Sequence, residues 1–175
     1  MAIQNRRHML ESSIDSMAYP DKFDVINADL DEKDWIILAL VQGNARISFA
    51  DLGRRAGLSP PAAAERLRRL EDAGIILGYH GRISTAGMGL GMLAIIEMRI
   101  SRSEYQRFQK AIQKLAWILE CHHVAGRASF FLKAAVPDAA GLELLIGYLS
   151  QFGETTTSVV LSTFLDHREF SHDDK

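Results

Sequence analysis

From Leu30 onward the apolar positions fall into short periodic blocks separated by glycines and capping residues, whereas residues 1–29 have no helical or strand period and contain Pro20. Those 29 residues are read as an N-terminal extension. Asp31 is placed to cap a helix in which Ile37, Leu38 and Val41 share one face, with Gly43 and Asn44 as its stop. Ser48 caps a short second helix with Phe49, Leu52 and Ala56 expected inward, and Gly57 ends it. Ser59 caps a third, with Pro60 and Pro61 in the first turn, where a missing N–H costs nothing. Its inner face is Ala63, Leu67 and Leu70, and Gly74 closes it. Two short helices joined by Gly57-Leu58-Ser59 predict a helix-turn-helix with the third helix as reader. Ile75 to Ile83 is expected to form a hairpin beside it, a wing.

Past Gly87, Gly89 and Gly91 the period changes. Leu93 to Ile100 reads as a strand, and Ser103 caps a helix carrying Tyr105, Phe108, Ile112 and Leu115 at helical spacing. Two strands, Ile118 to Val124 and Ser129 to Val136, meet at Gly126. A helix started by Pro137-Asp138 buries Leu142, Leu145, Ile146 and Leu149, and Thr155 to Leu165 is the last strand. The order β-α-β-β-α-β predicts a ferredoxin-like domain. Apolar residues alternate on both faces of the first strand (Leu93, Ile95 against Ala94, Ile96, Met98), so the sheet face left bare by the helices is expected to meet a second copy of the chain. The expectation is an α+β chain: extension 1–29, winged helix-turn-helix 30–85, linker 86–92, ferredoxin-like domain 93–166 and tail 167–175.

Composition adds limits. An apolar fraction of 47%, a charged fraction of 24% and 4 prolines are ordinary globular usage. No apolar run approaches the ~20 residues of a membrane helix, and the stretch after Arg6 and Arg7 is too polar for a secretory signal. The single Cys121 allows no intramolecular disulfide and no cysteine zinc cage. A soluble cytoplasmic protein is expected. The net charge of −2 counts against a nucleic-acid partner, yet Arg46 to Arg69 holds six arginines against Asp51 and Glu65, a local +4.

On helix-turn-helix geometry, Pro60, Pro61, Ala62 and Ala64 lie nearest the base edges and offer no hydrogen-bond donors, and Ser59 is a further DNA-binding candidate. Apolar side chains there touch thymine methyls but do not read guanine, which leaves Glu65, Arg66 and DNA deformability to set specificity. Arg46, Ser48, Arg54, Arg55, Arg66, Arg68 and Arg69 are the remaining candidates for duplex DNA, mostly at phosphates. The competing reading of the arginines is a solvated face of i, i+4 pairs, with Arg69 paired to Glu65 or Asp72.

These residues carry a resemblance. Leu30, Asp31, Asp34, Ile37 and Leu38, then Gly57, Leu58 and Ser59, then Arg66, Arg69, Leu70, Glu71, Gly74 and Ile76 are similar to the hallmarks of the leucine-responsive/AsnC family of transcription regulators. Glu120-Cys121-His122, Val124, Gly126 and Val160 to Thr163 resemble that family's C-terminal domain. The resemblance implies a ligand-responsive regulator without enzymatic activity, a homodimer that stacks in some members to an octamer, and a small effector, commonly an amino acid, between C-terminal domains. It places the effector at the turn after the second strand, here Gly126, Arg127, Ala128 and Ser129, together with Thr156. Relatives often carry an acid in that turn, and this chain carries Arg127 instead. Arginine favours carboxylate or phosphate, so the effector, if there is one here, is expected to present an anionic group, such as an organic acid, rather than to be a plain zwitterion; the competing reading is that Arg127 makes a salt bridge at a subunit interface and touches no ligand.

Neither a cofactor nor a metal is expected: adjacent His122 and His123 on a strand point to opposite faces. Sirohaem decarboxylase subunits resemble the same two-domain architecture and supply the enzymatic alternative, but their His-Asn-Tyr and Tyr-Asn-x-Trp-Phe stretches are replaced here by His122-His123-Val124 and Ser129 to Leu132. A ligand-sensing oligomer that does not bind DNA is the third reading, which the retained arginines oppose.

Overall fold

The computed structural model describes residues 29–172, so the extension expected at 1–29 lies almost wholly outside the described residues. The chain separates into two units. Among the described residues, one contains 29–79 together with 169–172; the other runs from His80 to Arg168.

In the first unit, α1 (Glu32–Gly43) starts at a capping box in which the Asp31 carboxylate accepts from the Asp34 N–H at 2.9 Å and the Asp34 carboxylate accepts from the Asp31 N–H at 3.2 Å. The second helix, α2 (Phe49–Ala56), is capped by Ser48, and α3 (Pro60–Asp72) by Ser59. Gly74, at φ 67°, terminates α3: its N–H reaches Glu71 O, and the Ile75 and Ile76 N–H groups both reach Leu70 O. The core is Ile37, Leu38, Val41, Leu52, Ala56, Ala63 and Leu70. Phe49, expected inward, is half exposed, because α2 begins at that residue and the buried stripe is Leu52, Gly53 and Ala56.

The hairpin expected over Ile75 to Ile83 is absent, as residues 75–84 contain no strand. The backbone that would open its first arm is engaged in closing α3, and Leu77 and Ile83 stand exposed. Tyr79 instead donates its hydroxyl to Glu71 at 2.7 Å; burial and that carboxylate push its pKa up to about 12.

Residues 169–172 also belong to this unit. The Gln42 carboxamide grips the Phe170 backbone on both sides, donating to its carbonyl and accepting from its N–H at 2.9 Å each, and the His172 ring meets Trp35 edge-on.

The second unit is a four-stranded antiparallel sheet of β1 (Met92–Ile100), β2 (Ile118–His123), β3 (Phe130–Val136) and β4 (Gly153–Val159), in the order β2-β3-β1-β4. With α4 (Tyr105–Ile112) and α5 (Ala139–Leu149), this is the ferredoxin-like order. Ala94, Ile96, Met98 and Ile100 of β1 face the helices, packed with Phe108, Phe130, Leu132 and Leu149. The other β1 phase, Leu93, Ile95, Glu97 and Arg99, lies on the face without helices. Ser103 does not cap α4; a 3₁₀ turn over Arg102–Glu104 intervenes, and the Ser103 hydroxyl pairs with that of Ser101.

The last strand stops at Val159, short of the expected Leu165. Val159 opposes Ala94, and the next bond, Val160 N–H to Leu93 O, reaches the start of β1. With no further edge to pair against, Leu161 and Phe164 stand almost fully exposed. None of the described helices is long and apolar enough to cross a membrane.

Gly153 is fixed by contact: a Cβ there would lie 2.2 Å from Arg99 O. Gly153→Ala is expected to prise β4 from β1 and cost about 2 kcal/mol of stability in this unit, as overpacking against an immovable backbone does. A thermal melt of the variant matching wild type would refute this.

Candidate nucleic-acid interface and effector hollow

The helix-turn-helix is held together at Gly53. Added there, a Cβ would meet Leu58 O at 2.7 Å and the Pro60 nitrogen at 3.2 Å, so only glycine lets α2 come this close to the turn into α3.

The arginines do not form one uniform cationic face. Arg66 is turned inward, bridging Asp31 Oδ2 at 2.6 Å and Asp34 Oδ1 at 2.8 Å. Asp34 is 2% exposed and would otherwise be a buried, under-compensated carboxylate. The Asp34 N–H and Arg66 together hold the Asp31 carboxyl below its usual range, and Asp31 in turn raises the Arg66 pKa. Arg69 lies 3.7 Å from Asp34, not on Glu65 or Asp72.

Arg54 pairs with Asp51 at 2.6 Å and Arg68 with Glu65; all four side chains are exposed, and such pairs open at little cost. Arg46 and Arg55 are exposed; Arg55 is near enough to Asp51 to help lower its pKa, after Arg54 and Ser48, but neither arginine makes an ion pair within 4 Å among the described residues. The local +4 of the sequence therefore includes one charge, Arg66, neutralised inside the unit. Ser48 is occupied with Asp51, accepting from its N–H at 3.1 Å and donating to its carboxylate at 3.0 Å. Pro60, Pro61, Glu65 and Arg68 are exposed along α3, and Ala62 and Ala64 are half-buried.

In the second unit, Arg127, Ala128 and Thr156 come together around a small open hollow whose other walls are Glu97, Met98, Arg99 and Glu154. Glu97 sits between Phe131 and Thr156 in the sheet, and Arg99 faces Glu154 with a 3.0 Å ion pair. Gly126, at φ 149°, turns the chain ahead of these residues. Ser129 takes a different part: its hydroxyl accepts from the Ile100 N–H at 3.1 Å and donates to the Ile100 carbonyl at 3.2 Å, while its own N–H reaches Met98 O at 2.7 Å. It pins the turn to β1 and spends its only hydroxyl proton there.

The sequence reading missed Glu97, Arg99 and Glu154. The signal was available, because charged residues at positions 97 and 99 interrupt the outward phase of an otherwise apolar strand. His122 and Glu120 share the open face, where His122 and then Lys133 lower the Glu120 pKa, whereas His123 stacks on Tyr105 and Phe130. Among the described residues no three metal-ligating side chains are grouped.

A capped helix-turn-helix joined to a separate ferredoxin-like unit with a polar hollow defines a DNA-binding regulator with an effector domain. The AsnC-type helix-turn-helix domain matches residues 30–71, and the Lrp/AsnC ligand binding domain matches residues 93–170. The chain is 36% identical over 155 residues to the leucine-responsive regulatory protein of Escherichia coli strain K12, covering 85% of this chain and 91% of that protein. It is 35% identical to the HTH-type transcriptional regulator LrpC of Bacillus subtilis, over 76% of this chain and 92% of that one. The structure of LrpC superposes with a TM-score of 0.76 over 80% of this chain and all of LrpC, at 33% identity. A transcriptional regulator of Neisseria meningitidis in complex with L-Met also gives 0.76, at 28% identity, over 83% of this chain and 98% of that one.

The chain belongs to the Lrp/AsnC family of transcription regulators. It is a DNA-binding regulator with a small-molecule effector, not an enzyme, and the sirohaem-decarboxylase and non-DNA-binding readings fall away.

Proposed function

We propose that this regulator responds to an α-amino acid held as a zwitterion in the hollow, with Arg127 taking the carboxylate and Glu97 the ammonium group. One observation carries the reading: Glu97 and Arg127 line the same hollow, and neither has an ion-pair partner among the described residues. A guanidinium matches a carboxylate in bidentate fashion, and a carboxylate accepts from an ammonium. Glu97 supplies from β1 the acid that the turn itself lacks, so a zwitterion replaces the purely anionic effector as the better match. A 2-oxo acid would set a carbonyl oxygen, an acceptor, against Glu97, and a dicarboxylate a second negative charge.

Calorimetric titration of the full-length protein with the amino acids and their 2-oxo analogues tests this. One or more amino acids should bind, the matching 2-oxo acid at least tenfold more weakly, and both Arg127→Ala and Glu97→Gln should lower affinity tenfold or more. A 2-oxo acid binding as tightly as its amino acid would overturn the assignment.

The protein acts in the cytoplasm as a homodimer joined through the open faces of two sheets, with the octamer as the next stage. Half-buried Leu93, Ile95 and Phe131 beside buried Ala135 make that face apolar enough to support such an interface. On the DNA, α3 enters the major groove. Arg46, Arg54, Arg55 and Arg68 are the phosphate-binding set, and Ser48, Ser59 and Arg69 flank it.

A further inference from the structure

We infer that the reading end of α3 recognises thymine by its 5-methyl group, and that it does so because this end of the helix presents almost nothing that can donate a hydrogen bond to a base. The inference rests on α3 occupying the major groove and concerns what it reads there. Helix N-termini ordinarily offer free backbone N–H groups, which suit phosphates and base acceptors. Here Pro60 and Pro61 have no N–H at all. The Ala62 N–H is turned to Ser59 Oγ at 3.4 Å and the Ala63 N–H to Ser59 O at 2.9 Å. In the preceding turn the Leu58 N–H is bonded to Gly53 O at 2.8 Å.

The side chains continue the pattern. Pro60 and Pro61 are exposed and Ala62 and Ala64 half-buried, all of them hydrocarbon. The first polar side chain along the helix, Glu65, accepts and does not donate, and it is already paired with Arg68 one turn on. Arg66, the arginine nearest the reading end, is directed away to Asp31 and Asp34. Two donors remain, both at the cap: the Ser59 hydroxyl and the Ser59 backbone N–H.

Of the four base-pair edges in the major groove, those with thymine alone carry an apolar group, the 5-methyl; guanine and adenine present N7 acceptors, which need a donor. Hydrocarbon pressed against a guanine edge strips water from O6 and N7 and returns nothing, whereas pressed against a thymine methyl it buries apolar surface. The first turn and a half of α3 therefore selects A·T pairs with thymine on the contacted strand.

Sites enriched from a random duplex pool by the full-length protein allow an atom-by-atom test. At the positions nearest the N-terminus of α3, replacing thymine by deoxyuridine removes only the methyl. Affinity should fall about fourfold per position, the value expected for one buried methyl. Replacing purines there by their 7-deaza analogues, which lack the N7 acceptor, should leave affinity unchanged, and a 5-methylcytosine·guanine pair should bind better than cytosine·guanine. The variant Ala64→Gln, which adds a carboxamide donor, should acquire a dependence on N7 while melting like wild type. Deoxyuridine without effect, or 7-deaza substitution that weakens wild-type binding, would overturn the inference while DNA binding stood. A pool that never enriches would overturn the DNA-binding assignment and the inference together.

Discussion

Arg66→Met is expected to destabilise the three-helix unit by about 3 kcal/mol, the order found when one partner of a buried ion pair is removed, and to lower its melting temperature by about 10 °C or more. Asp34 is the reason. Its carboxylate is almost fully buried, and without the guanidinium it keeps only the Asp31 N–H at 3.2 Å and Arg69 at 3.7 Å. DNA binding should be lost with the fold and not through a missing phosphate contact. At temperatures where the variant is folded, the slope of log affinity against log salt should match wild type, whereas Arg68→Ala should reduce it by about one unit. A second substitution, Asp34→Leu, should recover stability in the Arg66→Met background by removing the stranded charge.

The same cluster sets an acid limit. Asp31 has a folded pKa below its ordinary 3.8, lowered first by the Asp34 N–H and then by Arg66. Its contribution to stability is complete above that value and is lost as the pH falls through the folded one. Arg66→Met should flatten this acid limb. A variant that melts like wild type but binds DNA with a shallower salt slope would return Arg66 to the phosphate-binding set.

Gly53→Ala should be nearly as damaging to function and more selective in its cause. A methyl 2.7 Å from Leu58 O forces the turn between α2 and α3 outward, at about 2 kcal/mol by analogy with overpacked cores. The displacement falls at the base of the reading helix, so affinity for an enriched site should drop at least tenfold even at temperatures where circular dichroism reports full helicity. Wild-type affinity for this variant would mean that α3 tolerates a shifted turn.

Much of this was readable in the residues, and the reason is distance along the chain. Asp31, Ser48, Ser59 and Asp138 cap their helices through bonds spanning three residues, so local spacing reveals them. Arg66 could be read only as a DNA-contact candidate because its acidic partners lie 32 and 35 residues upstream, and nothing in the helix itself distinguishes an arginine facing inward from one facing solvent. The wing failed for a related reason: Ile75 and Ile76 have strand-forming side chains, but their N–H groups go to the end of α3. At the hollow, the turn with Arg127 was placed by the family resemblance and not by the apolar pattern. Glu97 became a partner to it only once the register set β1 between β3 and β4. Ser129 shows the reverse, a polar residue at the expected place whose hydrogen bonds are all made within the backbone frame.

The grip of Gln42 on Phe170 changes what kind of connection the effector domain has. The chain enters that domain after Tyr79 and leaves it at Arg168, and both ends lead back to the helical unit, so the effector domain is an insertion and not a pendant. The effector domain is thus joined to the helical unit by two stretches of covalent backbone, and the second of them ends on α1 at Gln42.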